Sequence, residues 1–299
     1  MAKLDLVQVK GNTYYIPSPT NVGVYINGQE AILIDGGSDK EAGKQILRLL
    51  EAQGLSLKLI VNTHSHADHI GGNSYLQEKT GCQIAATKME GAFINNPFLE
   101  PSFLYGGYPC KDLRNKFLMA KPSEVTADSL PIEHLSQLGL EVISLPGHSF
   151  DMIGIKTPDN VMFIADSLVP ERVIAKYHLF FLLDLKGHLN TLEKLPTLQA
   201  DVFVPSHGDL TWQINDLIEA NKAKINEISS LIVKLCRQPV SFEEVLKQVC
   251  LNYEINLNPT QYVLVSSTIR SYLSYLYEAG LLACRFENGE MTWLSTTKP

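Results

Sequence analysis

Short apolar segments alternate with amphipathic ones over the first two thirds of the chain. Val22–Ile26 and Ala31–Ile34 are apolar and β-rich, and the Asn27-Gly28 pair between them predicts a hairpin. Apolar residues recur at helical spacing from Asp39 to Gln53, which predicts a helix. Leu57–Asn62 follows as another short strand. This order of strands and helices predicts an α/β fold.

The pattern recurs later in the chain, where three apolar segments each end close to a residue that can ligate a metal. These strands are predicted at Val142–Leu145, Val161–Ala165 and Val202–Pro205. Polar side chains just beyond strand ends are where α/β enzymes build their sites. We therefore expect the residues that follow these strands to contribute to one site.

Between Met89 and Leu130 the hydrophobic pattern becomes irregular, and the segment is rich in Pro, Gly and aromatic residues. A long irregular insertion in a compact domain is often a lid or a binding loop. The alternative is a helical excursion that packs its own aromatic side chains. The hydrophobic pattern does not distinguish between these two interpretations. We predict an irregular, lid-like insertion at about residues 89–130.

The C-terminal part has its own set of start and stop signals. A long helix is predicted from about Trp212 to Leu235, and Pro239 ends it. We therefore predict two domains, a catalytic domain at 1–237 and a small domain at 238–299.

Three local signals describe the small domain. Ser241-Phe242-Glu243-Glu244 is a capping box that opens a helix. Asn258-Pro259 places a cap before a proline at the first position of a longer helix. Asn288-Gly289 lies between two apolar segments and predicts a hairpin. Helices followed by a β-hairpin resemble a winged-helix domain.

Composition and charge narrow the function classes. Hydrophobic residues make up 45% and charged residues 19% of the chain, as in a soluble protein with a normal core. The net charge is −7, which disfavours nucleic acid as a partner. We expect no signal peptide and no membrane contact, because no apolar segment is suited to either. Five cysteines without a CxxC pair indicate mostly buried thiols in a reducing cytoplasm.

The densest chemical feature is the run His64-x-His66-x-Asp68-His69, with four strong metal ligands in six residues after a strand. Imidazole suits zinc and similar transition metals, and carboxylate adds a harder ligand. Later strands end near further candidate ligands, namely His148 in Pro-Gly-His-Ser, Asp166, and His207 in Ser-His-Gly. One catalytic metal needs only three protein ligands, so seven residues suffice for two metals with one shared carboxylate. We expect zinc, with manganese or iron as alternatives.

The order HxHxDH, PGHS, Asp and SHG resembles the metallo-β-lactamase superfamily in its glyoxalase II-like branch, over roughly residues 5–215. The resemblance implies a four-layer αβ/βα sandwich of two mixed sheets with helices outside. It implies two sets of metal ligands bridged by Asp166, the first made of His64, His66 and His148 and the second of Asp68, His69 and His207.

The expected mechanism follows from two cations that share a water molecule. Such cations lower the pKa of the water and yield a hydroxide nucleophile, and Asp68 would be the catalytic residue that orients it. Asp35, in Asp-Gly-Gly, is either a hydrogen-bond partner of a ligand histidine or a turn former. Weak candidates for substrate contact are Tyr105, Tyr108, Tyr177 and His178.

Three functions remain open on the sequence. The first is hydrolysis of a thioester, ester or lactone of a small metabolite, and the second is RNA or phosphodiester cleavage by the same kind of site. The third is a metal-sensing protein that resembles a transcription factor. Residues 238–299 hold four cationic side chains against six glutamates, which disfavours the second and third. We expect this tail to form a homodimer surface or a wall of the substrate cleft.

The ligand types also separate branches of the superfamily. Metallo-β-lactamases of the best-known type carry Cys where Asp166 stands and lack the Asp68-His69 pair. Diiron relatives carry Glu in place of His66. Antibiotic hydrolysis and diiron chemistry are therefore disfavoured for this chain.

Overall fold

Two β-sheets pack face to face in the computed structural model, which describes residues 4–126 and 132–296. The first sheet has six strands in sequential order. They are β1 (Val7–Lys10), β2 (Thr13–Ile16), β3 (Val22–Asn27), β4 (Glu30–Ile34), β5 (Ser56–Val61) and β6 (Gln83–Ala85). Strands β1 to β4 pair antiparallel, whereas β4, β5 and β6 pair parallel, so the sheet is mixed.

The second sheet has four strands in the order β10-β9-β8-β7. They are β7 (Glu141–Ser144), β8 (Ile153–Lys156), β9 (Val161–Ala165) and β10 (Val202–Pro205). Only β9 and β10 pair parallel. This sheet is also mixed, as the resemblance implies.

The described residues also form helices, some of which cover the outer faces of the two sheets. In chain order they are α1 (Lys40–Ala52), α2 (Ala67–Ile70), α3 (Asn73–Thr80), α4 (Lys88–Asn95), α5 (Leu99–Tyr105), α6 (Ile132–Gln137), α7 (Glu171–Tyr177), α8 (Leu185–Lys194), α9 (Asn215–Leu235), α10 (Phe242–Asn252) and α11 (Pro259–Glu278). Two 3₁₀ turns lie at Lys111–Leu113 and Leu195–Thr197.

Three apolar layers hold these elements together. Between the sheets, Ile34 and Val61 of the first sheet pack in one cluster with Phe163 of the second. The outer face of the first sheet packs against α1 and α3 through residues such as Ile46. The outer face of the second sheet packs against α8, α9, α10 and α11 in one continuous cluster that includes Ile269. The result is the four-layer αβ/βα sandwich.

Local signals in the C-terminal part act as predicted. The Ser241 side chain caps α10 by accepting from the backbone N–H of Glu244 at 3.3 Å. The Asn258 side chain caps α11 by accepting from the N–H of Gln261 at 2.9 Å. The hairpin joins β12 (Leu282–Glu287) to β13 (Glu290–Ser295), and β13 also pairs with the short strand β11 (Val240–Ser241).

The first hairpin turn lies one residue later than predicted. Asn27 is the last residue of β3 and pairs with Glu30 of β4. The two turn residues are therefore Gly28 and Gln29, with Gly28 at a positive φ of 64°. A turn with glycine at its first central position matches the twist of the two strands.

The insertion at 89–130 is more regular than its composition predicts. Its described part, up to residue 126, contains most of α4, all of α5 and a 3₁₀ turn, and residues 127–130 lie outside the described residues. Pro101 lies in the first turn of α5, where its missing N–H breaks no helical hydrogen bond. Phe93 and Phe103 both pack against Phe150, at ring-centroid distances of 5.3 and 5.1 Å.

Two further expectations concern exposure. Within the described residues, no helix combines the length and apolarity needed to span a bilayer. Cys82, Cys236 and Cys250 are buried as expected, and Cys284 is partly buried. Cys110 is exposed on a surface turn of the insertion and is the exception among these thiols.

Candidate metal centre

The histidine-rich loop leaves the carboxyl end of β5 and is pressed against the loop that follows β4. The backbone N–H of Gly36 donates to the carbonyl of His69 at 2.7 Å. A Cβ atom on Gly72 would lie 2.2 Å from the carbonyl oxygen of Gly36, so only glycine allows this approach. The short helix α2 then starts directly after His66 and carries Asp68 and His69 in one turn. The ligand run is thereby folded back over the end of the first sheet.

Three histidines from both sheets converge at one point. The Nδ1 atom of His66 lies 3.1 Å from Nε2 of His64 and 2.9 Å from Nε2 of His148. His148 follows β7 through Gly147, which has a φ of 125°. A Cβ atom on Gly147 would lie 2.2 Å from the backbone nitrogen of His188, so both conformation and space require glycine. Three ring nitrogens facing one another at these distances form a ligand tripod for a cation.

A second group of ligand atoms lies beside the first. It consists of Asp68, His69 and His207, whose ligand atoms lie within 4.8 Å of one another. Oδ2 of Asp68 is 3.7 Å from Nε2 of His69 and 3.5 Å from Nε2 of His207. His207 reaches this position from the loop after β10.

Asp166 lies between the two groups, one residue beyond the end of β9. Its Oδ2 atom is 3.3 Å from Nε2 of His148 and 3.3 Å from Nε2 of His207. Its Oδ1 atom is 3.4 Å from Nε2 of His69. A carboxylate that faces both groups has the geometry needed to be shared by two cations.

Protein groups orient the rings from the far side. Nδ1 of His148 donates to the carbonyl of Phe181 at 3.0 Å, and Nδ1 of His207 donates to the carbonyl of Pro19 at 2.6 Å. A carbonyl can only accept, so Nδ1 carries the proton and Nε2 keeps its lone pair for a metal.

Asp35 has the same relation to His69. Its Oδ2 atom lies 2.8 Å from Nδ1 of His69, and Asp35 also accepts from the backbone N–H and the hydroxyl of Thr63, both at 2.8 Å. Asp35 is 1% exposed and adopts a positive φ of 67° at the end of β4. The side chain therefore acts as a buried partner of a candidate ligand as well as a turn residue.

Two buried polar atoms have no hydrogen-bond partner among the described residues and face each other in the centre of the site. They are Nε2 of His69 and Oδ1 of Asp166. An unpaired buried polar atom costs about 1–3 kcal/mol, and native proteins rarely leave one without a reason. A bound cation would satisfy both atoms, and imidazole and carboxylate groups are ligands that suit zinc, manganese or iron. The residues present therefore fit divalent cations.

The electrostatics differ between the two groups. Burial lowers the pKa of His66 to about 3 and lowers the pKa of His64 and of His148, so the tripod is neutral. Asp166 raises the pKa of His207 to about 9. Burial would lower the pKa of His69, but Asp68 and the other neighbouring carboxylates hold it well above its usual value. Cations that bind to this second group must therefore displace protons.

A cleft of about 890 Å³ opens beside Asp68 and His207. Three cationic side chains line it, namely Lys116, Arg172 and Lys176. Lys116 is 3.7 Å from Asp39, whereas Arg172 and Lys176 form no ion pair with any residue that the structure describes. Phe117, Tyr15 and Tyr177 add aromatic surface.

The four weak candidates for substrate contact are placed differently. Tyr177 lines the cleft. Tyr105 lines a separate groove of about 640 Å³ between α5 and α11. Tyr108 is 75% exposed and packs on Phe98, and His178 stacks on Tyr253 at 5.2 Å. The structure brings only Tyr177 of these four into the lining of the cleft.

Sequence reasoning missed two buried carboxyl groups near the tripod. Glu90 of α4 accepts hydrogen bonds from the two loops that carry His64, His66 and His148. Glu100 of α5 lies 3.7 Å from Nε2 of His66, and burial raises the pKa of Glu100 to about 8. A signal existed for Glu90, because it shares one helical face with the apolar Phe93 and Ile94.

Several known proteins resemble this chain in sequence or in fold. A family model described as the metallo-beta-lactamase superfamily matches residues 15–207. The chain is 27% identical over 190 residues to a "Probable metallo-hydrolase" of Methanocaldococcus jannaschii, covering 62% of this chain and 86% of that protein. It is 30% identical over 131 residues to a hydroxyacylglutathione hydrolase of Rhodopseudomonas palustris, covering 44% of this chain and 41% of that enzyme.

A solved structure resembles the whole chain. It is a metallo-beta-lactamase family protein from Thermus thermophilus, with a TM-score of 0.69 and 22% sequence identity. The superposition covers 98% of each chain, so the likeness of fold extends beyond the residues that the family model matches.

Proposed function

The chain belongs to the metallo-β-lactamase superfamily and is a metallo-hydrolase, and from this we propose that it cleaves a thioester, ester or lactone of a small metabolite with two divalent cations, zinc by preference. One observation carries the proposal. Ligand atoms of seven side chains converge from the ends of both sheets, and the two unpaired atoms at their centre belong to His69 and Asp166.

Each group of ligands has a place in the proposal. His64, His66 and His148 would hold the first cation, Asp68, His69 and His207 would hold the second, and Asp166, which faces both groups, would be shared between them. Bound cations would supply the positive charge that activates water at neutral pH and stabilises negative charge on the substrate oxygen.

Asp68 is the proposed catalytic residue. Its side chain is 45% exposed toward the cleft, whereas Asp166 is 10% exposed, so Asp68 is the carboxylate that substrate and water can reach. Its Oδ2 atom accepts from the hydroxyl of Thr20 at 2.8 Å, which holds the side chain in place. We infer that Asp68 orients the attacking water and accepts its proton.

The cleft supports a small substrate with an acidic group. Its volume of about 890 Å³ lies within the range of small-molecule sites. Arg172 and Lys176 present positive charge there without a carboxylate partner among the described residues, with the Lys176 ammonium 4.6 Å from the ring centre of Tyr177, although the chain as a whole carries a net charge of −7. An ester or thioester whose carboxylate or phosphate meets these two side chains fits both features.

The arrangement of the C-terminal part also favours a small-molecule substrate. We propose that α9, β11, α10, α11, β12 and β13 form a winged-helix-like domain, a kind of domain in which the last helix would enter a DNA groove. Here the N-terminal end of α11 packs on the insertion, where Val263 shares a cluster with Leu104 and Leu113. Arg270, the single cation of α11, lies 3.7 Å from the ring centre of Phe242. Helix α11 therefore has little free surface that could contact nucleic acid.

The same helix supports the candidate metal centre from behind. The Ser271 hydroxyl donates to the carbonyl of Leu183 at 2.7 Å. The N–H groups of Leu183 and Asp184 both donate to the carbonyl of Gly147, at 3.0 and 2.9 Å. Phe181 in the same loop holds the ring of His148. We therefore propose that α11 is a wall of the catalytic unit, and the homodimer and cytoplasmic location stay predictions.

The decisive experiment measures metal content per chain of protein purified without chelator, beside a hydrolysis panel of thioesters, lactones, phosphodiesters and single-stranded RNA. We expect about two metals per chain and turnover of an acidic thioester, ester or lactone. Asp166→Ala and His148→Ala should each reduce metal content and abolish hydrolysis. Cleavage of RNA alone would replace the proposed substrate class by the nuclease alternative. Normal metal content with full activity in either variant would remove the site assignment.

A further inference from the structure

One buried carboxylate joins the two loops that supply the histidine tripod. Glu90 lies on α4 and is 0% exposed. Its Oε2 atom accepts from the backbone N–H of Ser65 at 2.9 Å and from the Ser65 hydroxyl at 2.6 Å. Its Oε1 atom accepts from the Ser149 hydroxyl at 2.7 Å and from the N–H of Asp151 at 2.9 Å. Each oxygen thus holds a different loop.

The residues that Glu90 contacts lie directly beside the candidate ligands. Ser65 stands between His64 and His66, and Ser149 follows His148. The first loop leaves β5 of the first sheet and the second leaves β7 of the other sheet. The two sheets pack mainly through apolar side chains, and the N–H of Ile153 in β8 donates to the carbonyl of Thr63 at 3.0 Å, just before His64. Glu90 adds four directed hydrogen bonds that join the two ligand-bearing loops to each other.

We propose that Glu90 is a positioning residue that sets the spacing of His64 and His66 against His148, and thereby the affinity of the first cation. The inference rests on the proposed metal centre but not on the proposed substrate or reaction. It also gives a function to the start of the insertion, because α4 forms part of the support of the metal site.

The choice of a carboxylate is itself informative. An ionised side chain away from water is costly to bury unless hydrogen bonds compensate. An apolar side chain would fill the same volume without that cost but would leave the N–H groups of Ser65 and Asp151 unsatisfied. A carboxylate is acceptor-only and takes four donors, whereas an amide presents N–H groups to one of the two loops.

The test compares Glu90→Gln with Asp159→Asn in otherwise intact protein. Asp159 is a matched control, because its carboxylate also holds a loop, through Asn12 N–H at 2.9 Å and the Thr13 hydroxyl at 2.7 Å. It lies in the turn before β9, at the opposite end of that strand from Asp166. Metal-free protein is titrated with Zn²⁺ against a chromophoric chelator and with Co²⁺ while the visible absorption spectrum is recorded.

We expect Glu90→Gln to weaken at least one bound equivalent by about 10- to 100-fold and to change the Co²⁺ spectrum, with Asp159→Asn within twofold of the parent protein. If Glu90→Gln does not fold, Ser65→Ala with Ser149→Ala removes only the two hydroxyl donors and should still weaken binding severalfold.

Two results would separate the hypotheses. Unchanged affinity and an unchanged Co²⁺ spectrum in Glu90→Gln, with a lower unfolding midpoint, would overturn the positioning role and leave a structural one. A parent protein that binds no metal would instead overturn the proposed function.

Discussion

Replacing Asp35 by Asn tests how much the hydrogen bond to Nδ1 of His69 contributes to metal binding at Nε2 of the same ring. The substitution keeps the shape of the side chain, and Asn tolerates the positive φ of 67° at this position. It changes the hydrogen bonds that Asp35 makes with His69 and with the backbone and hydroxyl of Thr63, each at 2.8 Å, and the longer one that it accepts from the Asn62 side chain at 3.5 Å. An amide has one oxygen where the carboxylate has two, so at least one of these bonds must fail.

The magnitude follows from the chemistry of the lost bond. If the amide N–H₂ faces His69, the ring must accept at Nδ1 and carry its proton on Nε2, the atom that faces Asp166 at 3.4 Å. A proton on Nε2 blocks ligation. A hydrogen bond to a charged group contributes about 1.5–3 kcal/mol, and each 1.4 kcal/mol is tenfold in affinity. We therefore expect the second cation to bind about 10- to 100-fold more weakly.

The assay is competition for Zn²⁺ between metal-free protein and a chelator of known affinity, with metal content measured after dialysis. Asp39→Asn is the control, because Asp39 caps α1 by accepting from the N–H groups of Glu41 and Ala42, both at 3.0 Å. Asn caps a helix about as well as Asp, so this variant should bind both equivalents normally. Equal Zn²⁺ affinity in Asp35→Asn and Asp39→Asn would refute the reasoning.

Three further predictions concern acid stability, backbone geometry and substrate binding. Burial lowers the pKa of His188 to about 3, whereas the unfolded chain takes up this proton below about pH 6.5, so the free energy of unfolding falls as the pH falls from about 6.5 toward 3. In urea titrations of the metal-free protein, His188→Leu should reduce the slope of the free energy of unfolding against pH by up to about 1.4 kcal/mol per pH unit. An unchanged slope would contradict this. Gly147→Ala should lower the free energy of unfolding by more than about 3 kcal/mol, and Gly54→Ala by about 1 kcal/mol, because Gly54 also has a positive φ but has open space at its Cβ position. Similar losses in the two variants would contradict the steric argument. Arg172→Ala with Lys176→Ala should raise KM about tenfold for an acidic ester and leave KM for a neutral ester unchanged, and equal effects on both esters would exclude the anion contact.

The ligand run could be found from the sequence because it is local. His64, His66, Asp68 and His69 lie within six residues shortly after a strand. Asp166 directly follows β9, and His207 is the second residue after β10. The four-layer fold followed from the resemblance those motifs carry. Residues that act across the fold gave no comparable signal. In the sequence Glu90 is one charged residue at the start of an irregular segment, and its partners lie 25 and 59 positions away.

Short elements were the other gap. Strands β6 and β8 have three and four residues, too few to show an alternation of polar and apolar positions, and were not predicted. Both are recognised only by the neighbours with which they pair. Helix α5 of the insertion was hidden by Pro101 in its first turn and by Gly106 at its C-terminal end, within a composition typical of loops.

The hydrogen bonds from α11 to the loop behind His148 have a thermodynamic consequence. Ser271 holds Leu183, and the same loop orients His148 through the carbonyl of Phe181. A cation that binds the ligand side chains in their native arrangement also favours the docked position of α11, and the docked helix in turn favours binding of the cation. Metal loading is thus expected to slow amide hydrogen exchange in α11, far along the chain from every ligand. The affinity for metal and the stability of the docked position of α11 are then linked, so a change in one is expected to change the other.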